Sequence, residues 1–335
     1  TQQRRPVIEE WQNSLSPVEI FNALRDEPGV FFLDSALTDG RLGRYSFVGS
    51  QPFITFKSRG RRITVSRNGV IEKSLGNPFD ELGRLLDIFK LELYDYPVPF
   101  TGGAVGYFGY DAGRHLEKLP RHAKDDLKLP DCSFSFYDII YAYDHCEDRS
   151  YIISTGFPEL EETARLNKAR ECLDDFKRRI GDTHPDTPAQ KRNPMLPQIK
   201  GNFTHNDYLI AVERARQYII AGDIFEVNLS QLFEVELGFN PVELYHRLRQ
   251  VNPAPFAAYL DCGSFSIVSA SPERFLKLNG VAVETRPIKG TRKRGGTNDE
   301  DEAMATELLA SEKDRAENMM IVDLERNDLG RVCRY

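Results

Sequence analysis

The chain has 335 residues, of which 40% are apolar, so it can bury a substantial core as one large domain or two ordinary ones. Its net charge of −7 argues against general nucleic-acid binding, which needs a cationic surface to release phosphate counterions. It has neither a bilayer-length apolar run nor the apolar core of a signal peptide at its N-terminus. We therefore expect a cytoplasmic protein without a membrane partner.

The cysteines and histidines exclude two further classes. Five cysteines are an odd number, and none forms a C-x-x-C pair, which favours a reducing compartment over a disulfide framework. The six histidines are scattered without H-x-x-x-H spacing, so nothing in the sequence supports a zinc site.

The first part of the chain predicts antiparallel strands. Residues 30–75 alternate short apolar runs with turn pairs such as Asn68-Gly69, which is typical of hairpins. A helix is predicted over residues 79–89. Residues 101–110 are rich in glycine but lack the G-K-[ST] ending of a phosphate loop, so we predict strands whose glycines allow close packing of the sheet.

A linker separates two predicted regions. Residues 134–153 favour strands and residues 159–180 favour a charged amphipathic helix. Residues 181–200 contain four prolines and no periodicity, which predicts a linker. The domain prediction is therefore an N-terminal region 1–180 and a region 201–335 that contains the motifs.

The second region predicts two helices and a strand. Helical spacing begins after Thr204 and stops at Gly222, and residues 224–231 alternate as a strand with one polar face does. Residues 311–326 form an amphipathic pattern in which Glu317 lies on the apolar arc. A carboxylate there needs a cation or hydrogen-bond donors, and a salt bridge to Lys313 one turn earlier is the structural alternative.

A lysine in a framed turn is the strongest candidate for chemistry. Pro287 fixes the backbone before Lys289, and Gly290 lets the chain approach a ligand. To attack a substrate, the amine must be neutral, which burial beside Arg286 would favour. Glu273 could protonate a leaving hydroxyl if it is partly buried. Taken alone, a lysine before glycine is more often a solvated turn residue, and the basic run over residues 292–294 is interpreted as a solvated loop.

Four motifs together indicate a family. The sequences SPERF at 271–275, PIKGT at 287–291, DRAEN at 314–318 and DLERNDLGR at 323–331 occur in the order and spacing of the chorismate-utilising enzymes. Within this family the chain resembles the component I subunits of aminodeoxychorismate synthase, from about Leu33 to its last residue.

The resemblance implies a fold and a mechanism. The fold would be α+β, with two stacked antiparallel sheets forming a sandwich flanked by helices. Lys289 would add to the chorismate ring, Glu273 would assist departure of the hydroxyl, and Gly290 and Thr291 would contact the substrate. Glu317 would bind magnesium. Ammonia would come from a glutamine amidotransferase partner, and the product would be 4-amino-4-deoxychorismate for folate and 4-aminobenzoate synthesis.

Three alternatives stay open at this point. Component I of anthranilate synthase shares most motifs but usually has alanine where Lys289 stands. Isochorismate and salicylate synthases place a lysine where Glu226 stands, which makes them poorer matches. Family members also continue well beyond Arg331, with a second metal-binding glutamate and groups that hold carboxylates. The chain is therefore expected to be a fragment that is inactive alone, or a binding or regulatory form without catalysis.

A second binding site is implied by the same resemblance. Some relatives bind tryptophan in the sandwich with a serine after an apolar strand and a proline-aromatic turn. Ser35 and Pro255-Phe256-Ala257 match those positions, whereas Asp34 and Ala257 depart from the common forms.

Overall fold

A computed structural model describes residues 4–38, 42–120, 124–181 and 198–334. The strands are β1 (Val7–Glu10), β2 (Phe31–Asp34), β3 (Tyr45–Gly49), β4 (Ile54–Arg59), β5 (Arg62–Arg67), β6 (Val70–Leu75), β7 (Gly103–Phe108), β8 (Cys132–Tyr137), β9 (Ile139–Asp144), β10 (Arg149–Ser154), β11 (Lys200–Gly201), β12 (Phe233–Glu234), β13 (Phe256–Asp261), β14 (Ser266–Ser271), β15 (Arg274–Asn279) and β16 (Ala282–Arg286). The helices are α1 (Pro17–Leu24), α2 (Pro78–Ile88), α3 (Glu162–Gly181), α4 (His205–Ala221), α5 (Pro241–Val251), α6 (Asn298–Ala310) and α7 (Glu312–Gly330), with a 3-10 helix at Tyr110–His115.

Two large antiparallel sheets organise the fold. One has seven strands in the order β1-β10-β9-β3-β2-β13-β14, and the other has five in the order β6-β5-β4-β8-β7. Two short pairs, β11-β12 and β15-β16, are also antiparallel. The larger sheet takes strands from both sides of the predicted linker, because β13 pairs with β2.

The sheets stack with an apolar core between them. Side chains from both sheets form this core: Phe31, Phe47, Val105, Tyr137, Ile140, Ala142, Tyr151, Ile153 and Leu260, with Val98 from a loop. The outer face of the five-stranded sheet packs on α2, where Phe56, Val65 and Phe136 meet Leu82 and Leu85. Burial of this apolar surface is the main stabilising contribution. The prediction of an α+β fold with stacked antiparallel sheets and flanking helices is confirmed.

Local sequence signals define most helix ends. Ser16 caps α1 in a reciprocal capping box, and the Asn77 side chain accepts from the backbone at the start of α2. Thr204 caps α4, and Gly222 ends it in the left-handed conformation with φ 78°. Ser311 caps α7, so the helix predicted over residues 311–326 is confirmed.

The glycine-rich segment is a strand in close contact with its neighbour. Gly106 lies in β7, and a Cβ atom there would stand 2.0 Å from the carbonyl oxygen of Ser133 in β8. No other residue leaves that space, so the prediction of a closely packed strand is confirmed.

The prediction of a strand over residues 224–231 is wrong. Residues 224–231 have no ladder, and the described strand nearby is the two-residue β12, which pairs with β11. Alternation of polar and apolar residues indicates two faces but supplies no partner strand, and a strand needs the hydrogen bonds of a partner.

The chain divides into two compact units. One comprises residues 1–185 and 245–335, and the other comprises residues 186–244. Most of the predicted linker, residues 182–197, lies outside the described residues, so the domain boundaries stay a prediction. No helix among the described residues is both long and apolar enough to cross a membrane.

Candidate active site

The carboxylate of Glu273 lies against the turn that bears Lys289. Glu273 Oε1 accepts a hydrogen bond from the backbone N–H of Ile288 at 3.0 Å, and Ile288 directly precedes Lys289. The loop that holds Glu273 is itself fixed, because the backbone N–H of Glu273 donates to Ser271 Oγ at 3.3 Å. The two residues predicted to act as nucleophile and acid are therefore brought together.

Gly290 lets the same turn rest on two helices. Its φ of 78° is left-handed, and a Cβ atom there would stand 2.9 Å from both Asp314 Cβ and Leu308 Cδ1. Backbone conformation and contact distance thus independently require glycine. The half-buried Lys289 is consequently held where α6 and α7 meet.

Arg292 joins this turn to both helices. Its Nε donates to Glu307 of α6 at 2.8 Å, and its Nη2 donates to Asp314 of α7 at 2.9 Å. Its Nη1 donates to the carbonyl oxygen of the exposed Thr291 at 2.9 Å. The interpretation of Arg292 as part of a solvated loop is therefore wrong, because only 27% of its side chain is exposed and two carboxylates bind it.

A second contact joins the hairpin formed by β15 and β16 to α7. Thr285 Oγ1, near the end of β16, donates to the carbonyl oxygen of Phe275 at 2.8 Å and lies 3.2 Å from Glu325 Oε2. Asp314 and Glu325 lie eleven residues apart on α7. The helix therefore contacts the segment 285–292, which bears Lys289, at two separate positions along its length. All four sequence motifs thereby meet in one compact unit.

The electrostatic setting differs from the sequence expectation in two ways. Arg286 is exposed and donates to Glu284 Oε1 at 2.8 Å. Its positive charge is therefore offset by a carboxylate, whereas the sequence led us to expect that charge to act on a buried Lys289. Arg274 binds the same carboxylate, and the two guanidinium groups hold the pKa of Glu284 below its ordinary value. Glu273 is exposed rather than partly buried. Glu273 is therefore held by the turn but not buried, and Lys289 is half-buried.

Glu317 lies half-buried on α7, and no ion pair joins it to Lys313 within the part of the chain that the structure describes. The structural alternative raised for Glu317 is thus not found. Magnesium is commonly held by one or two carboxylates plus waters and substrate oxygens, which Glu317 fits as a single ligand. The next residue, Asn318, has a buried Oδ1 without a hydrogen-bond partner. In the described ranges no three His, Cys, Asp or Glu side chains form a metal-binding group, so the metal stays a prediction.

The residues of the predicted tryptophan site are neighbours. Ala257 of β13 pairs with Asp34 of β2, and Phe256 lies under the Arg274 guanidinium at 5.4 Å. Ser35 follows β2 and is buried, with its hydroxyl donating to the carbonyl oxygen of Tyr45 at 2.6 Å. The structure thus groups Ser35 with residues 255–257 where the end of β2 meets the start of β13, and their role stays a prediction.

Asp34, where this sequence departs from the common form, is a buried hydrogen-bond acceptor. Its buried carboxylate accepts from the Tyr245 hydroxyl at 2.8 Å and from Arg249 Nε at 2.6 Å. Burial and the neighbouring Asp34 charge raise the pKa of Tyr245 far above its ordinary value, so the phenol stays protonated and donates. Asp34 therefore connects the end of β2 to α5.

Sequence reasoning missed Arg292, Asp314 and Glu325 as parts of the site. Asp314 and Glu325 lay inside the recognised motifs, and Asp314 precedes Glu317 by three residues on one helix face. That spacing was the available signal. Nothing local distinguished Arg292 from the neighbouring Lys293 and Arg294.

Comparisons with known proteins show the family of the chain. Residues 36–335 match the family of chorismate binding enzymes, and the chain belongs to this family. It is 37% identical over 337 residues to anthranilate synthase component 1 of Acetivibrio thermocellus, covering 98% of this chain and 68% of that protein. It is 38% identical over 306 residues to aminodeoxychorismate synthase component 1 of Bacillus subtilis, covering 89% and 63%.

A solved structure agrees with the fold. Anthranilate synthase component I from Streptococcus pneumoniae superposes with a TM-score of 0.67 at 28% identity, covering 88% of this chain and 63% of that one. The chain thus spans roughly two thirds of the length of these relatives. Relatives with two different activities are similarly close, so identity alone does not choose between them.

Proposed function

We propose that the protein is the component I subunit of an aminodeoxychorismate synthase, converting chorismate and ammonia to 4-amino-4-deoxychorismate. The observation that supports the proposal is the hydrogen bond from Ile288 N–H to Glu273, which holds the Glu273 carboxyl group against the residue that precedes Lys289. An amine nucleophile on this turn and a carboxyl proton donor in the loop against it suit a substitution that proceeds through a covalent adduct.

In the proposed first step the Lys289 amine, once neutral, adds to the chorismate ring. The ring double bonds shift, the carbon–oxygen bond to the hydroxyl breaks, and Glu273 supplies the proton with which the hydroxyl leaves as water. The contact of Gly290 with α7 fixes the turn during this step. Gly290 and the exposed Thr291 are proposed to contact the substrate.

In the second step ammonia bonds to the carbon that lost the hydroxyl. The double bonds return and the bond to Lys289 breaks, which regenerates the amine, while a proton from the added nitrogen returns to the Glu273 carboxylate. When bound, magnesium would offset the charge of the substrate carboxylates. Glu317 would be one ligand. A glutamine amidotransferase subunit in the cytoplasm would supply the ammonia, and the product would enter folate synthesis by way of 4-aminobenzoate.

Anthranilate synthase component I is the second candidate. Its support is the 37% identity to the Acetivibrio thermocellus protein, close to the 38% found for the Bacillus subtilis enzyme. In that reaction ammonia would attack the ring directly and Lys289 would form no bond to the substrate.

A covalent-adduct experiment tests the choice. The complete natural protein is given chorismate and magnesium without ammonia, and peptide mass mapping should place a chorismate-derived adduct on Lys289. Lys289→Ala should abolish the adduct, whereas Lys293→Ala, which removes an exposed lysine of the same loop, should leave it unchanged. An unmodified Lys289, together with anthranilate as the product when ammonia is added, would overturn the proposal.

A further inference from the structure

We propose that Arg292 and Asp314 are positioning residues that seat the lysine-bearing turn on α7, in register with Glu317. This inference rests on the proposed function of Lys289 and Glu317, and it names residues that hold them in mutual position. Neither residue is assigned a direct role in bond making.

The contacts of Arg292 reach three segments. Separate nitrogens of its guanidinium bind Glu307 on α6, Asp314 on α7 and the carbonyl oxygen of Thr291 in the turn. A planar group with several fixed donors can hold three acceptors at once, whereas a lysine ammonium acts as a single point charge. The arrangement therefore depends on the shape of arginine as well as on its charge.

The tight packing of Gly290 is an independent observation at the same place. Asp314 supplies both the carboxylate that binds Arg292 and the Cβ atom against which Gly290 rests. With 15% of its side chain exposed, Asp314 is the more enclosed partner of the ion pair. One residue of α7 thus contacts the turn at Gly290 and again through Arg292.

The position of Asp314 on α7 gives the contact its functional meaning. Asp314 and Glu317 are three residues apart, so they lie on one face of the helix about one turn from each other. A turn that contacts Asp314 is consequently held at a fixed position along the axis of α7 relative to Glu317. Small displacements of a reacting group are costly, since about 1 Å can reduce a rate by about a hundredfold.

Two substitutions and a matched control test the inference in the complete natural protein. Arg292→Gln removes the charge but keeps a polar side chain. Arg292→Lys keeps the charge but lacks the planar guanidinium with its several fixed donors. The control is Arg294→Gln, because Arg294 is 87% exposed and binds Asp301 in the first turn of α6. The measurements are kcat and KM for chorismate consumption with saturating magnesium and ammonia, adduct formation at Lys289, and the thermal unfolding midpoint.

We expect Arg292→Gln to lower kcat and the adduct rate by up to about a hundredfold with little change in KM. Arg292→Lys should recover part of the loss, and Arg294→Gln should behave like the wild type. The inference is overturned if Arg292→Gln keeps the kcat of the control, or if its loss only tracks the unfolded fraction.

The outcomes separate this inference from the proposed function. If the wild type makes anthranilate without an adduct, the proposed function fails, while the kcat comparison still decides whether Arg292 positions the site. If the wild type consumes no chorismate, hydrogen exchange decides. Faster exchange of the amides of residues 288–291 in Arg292→Gln than in Arg294→Gln supports the positioning contact, and equal exchange overturns it.

Discussion

Replacing Gly290 with alanine should destabilise the lysine-bearing turn through two separable effects. A non-glycine residue in the left-handed region costs about 1–2 kcal/mol. The added Cβ would also stand 2.9 Å from Asp314 Cβ and from Leu308 Cδ1, and overpacking of that kind costs about 1–3 kcal/mol. The free energy of unfolding should therefore fall by about 2–5 kcal/mol in total.

Gly280 offers a control that has the first effect without the second. It has φ 58° in the turn between β15 and β16, and a Cβ atom there would meet nothing within 4 Å. Gly280→Ala should cost only the conformational term of about 1–2 kcal/mol. The difference between the two variants isolates the packing of Gly290 on α7, at about 1–3 kcal/mol.

Urea unfolding followed by circular dichroism provides the measurement, with equal m-values required for the comparison. Since regions of a protein can open separately, hydrogen exchange of the amides in residues 288–291 should be measured alongside. Equal destabilisation by Gly290→Ala and Gly280→Ala, with unchanged exchange in the turn, would refute the contact with α7.

Three further outcomes are expected. Asp34→Ala should lower the free energy of unfolding by about 3 kcal/mol, because it leaves a partly buried arginine and a buried phenol without their acceptor; an unchanged urea midpoint would contradict this. The hydrogen bond with Ser311, and then the charge of Arg292, hold the pKa of Asp314 below its ordinary value. Asp314 therefore stabilises the fold above the unfolded carboxyl pKa near 4, and this contribution should disappear as the pH falls through the lower folded value. Asp314→Asn should remove that part of the acid dependence in urea titrations. Glu317→Gln should raise the magnesium concentration needed for half-maximal activity while circular dichroism stays unchanged, and an identical magnesium titration would show that the carboxylate is structural.

Elements governed by near neighbours were predictable from the sequence. Thr204 and Gly222 bound α4 as expected, because a cap hydrogen bond and a left-handed glycine act within a few residues. The Asn68-Gly69 turn joins β5 and β6 with both residues at positive φ, as the dipeptide predicts. The stacked sheets followed from the family resemblance rather than from such local signals.

Features that depend on distant partners were not predictable. The partners of Arg292 are 15 and 22 residues away, so the basic run gave no sign that one member is enclosed. Asp34 is bound by Tyr245 and Arg249, which lie 211 and 215 positions later in the chain. The departure from the family pattern at Asp34 did not reveal these partners. The alternation of residues 224–231 was real, but the pattern does not show whether a partner strand exists.

The geometry also bears on why relatives with two activities are similarly close to this chain. The turn is held on α6 and α7 through Gly290 and Arg292, which contact Leu308, Glu307 and Asp314. Position 289, which carries the proposed nucleophile, is separate from these anchoring positions. Under the proposed function, two reactions of chorismate would share one scaffold, and the residue at position 289 would decide between them. For this reason we base the proposed activity on Lys289 and Glu273 rather than on the 37% and 38% identities.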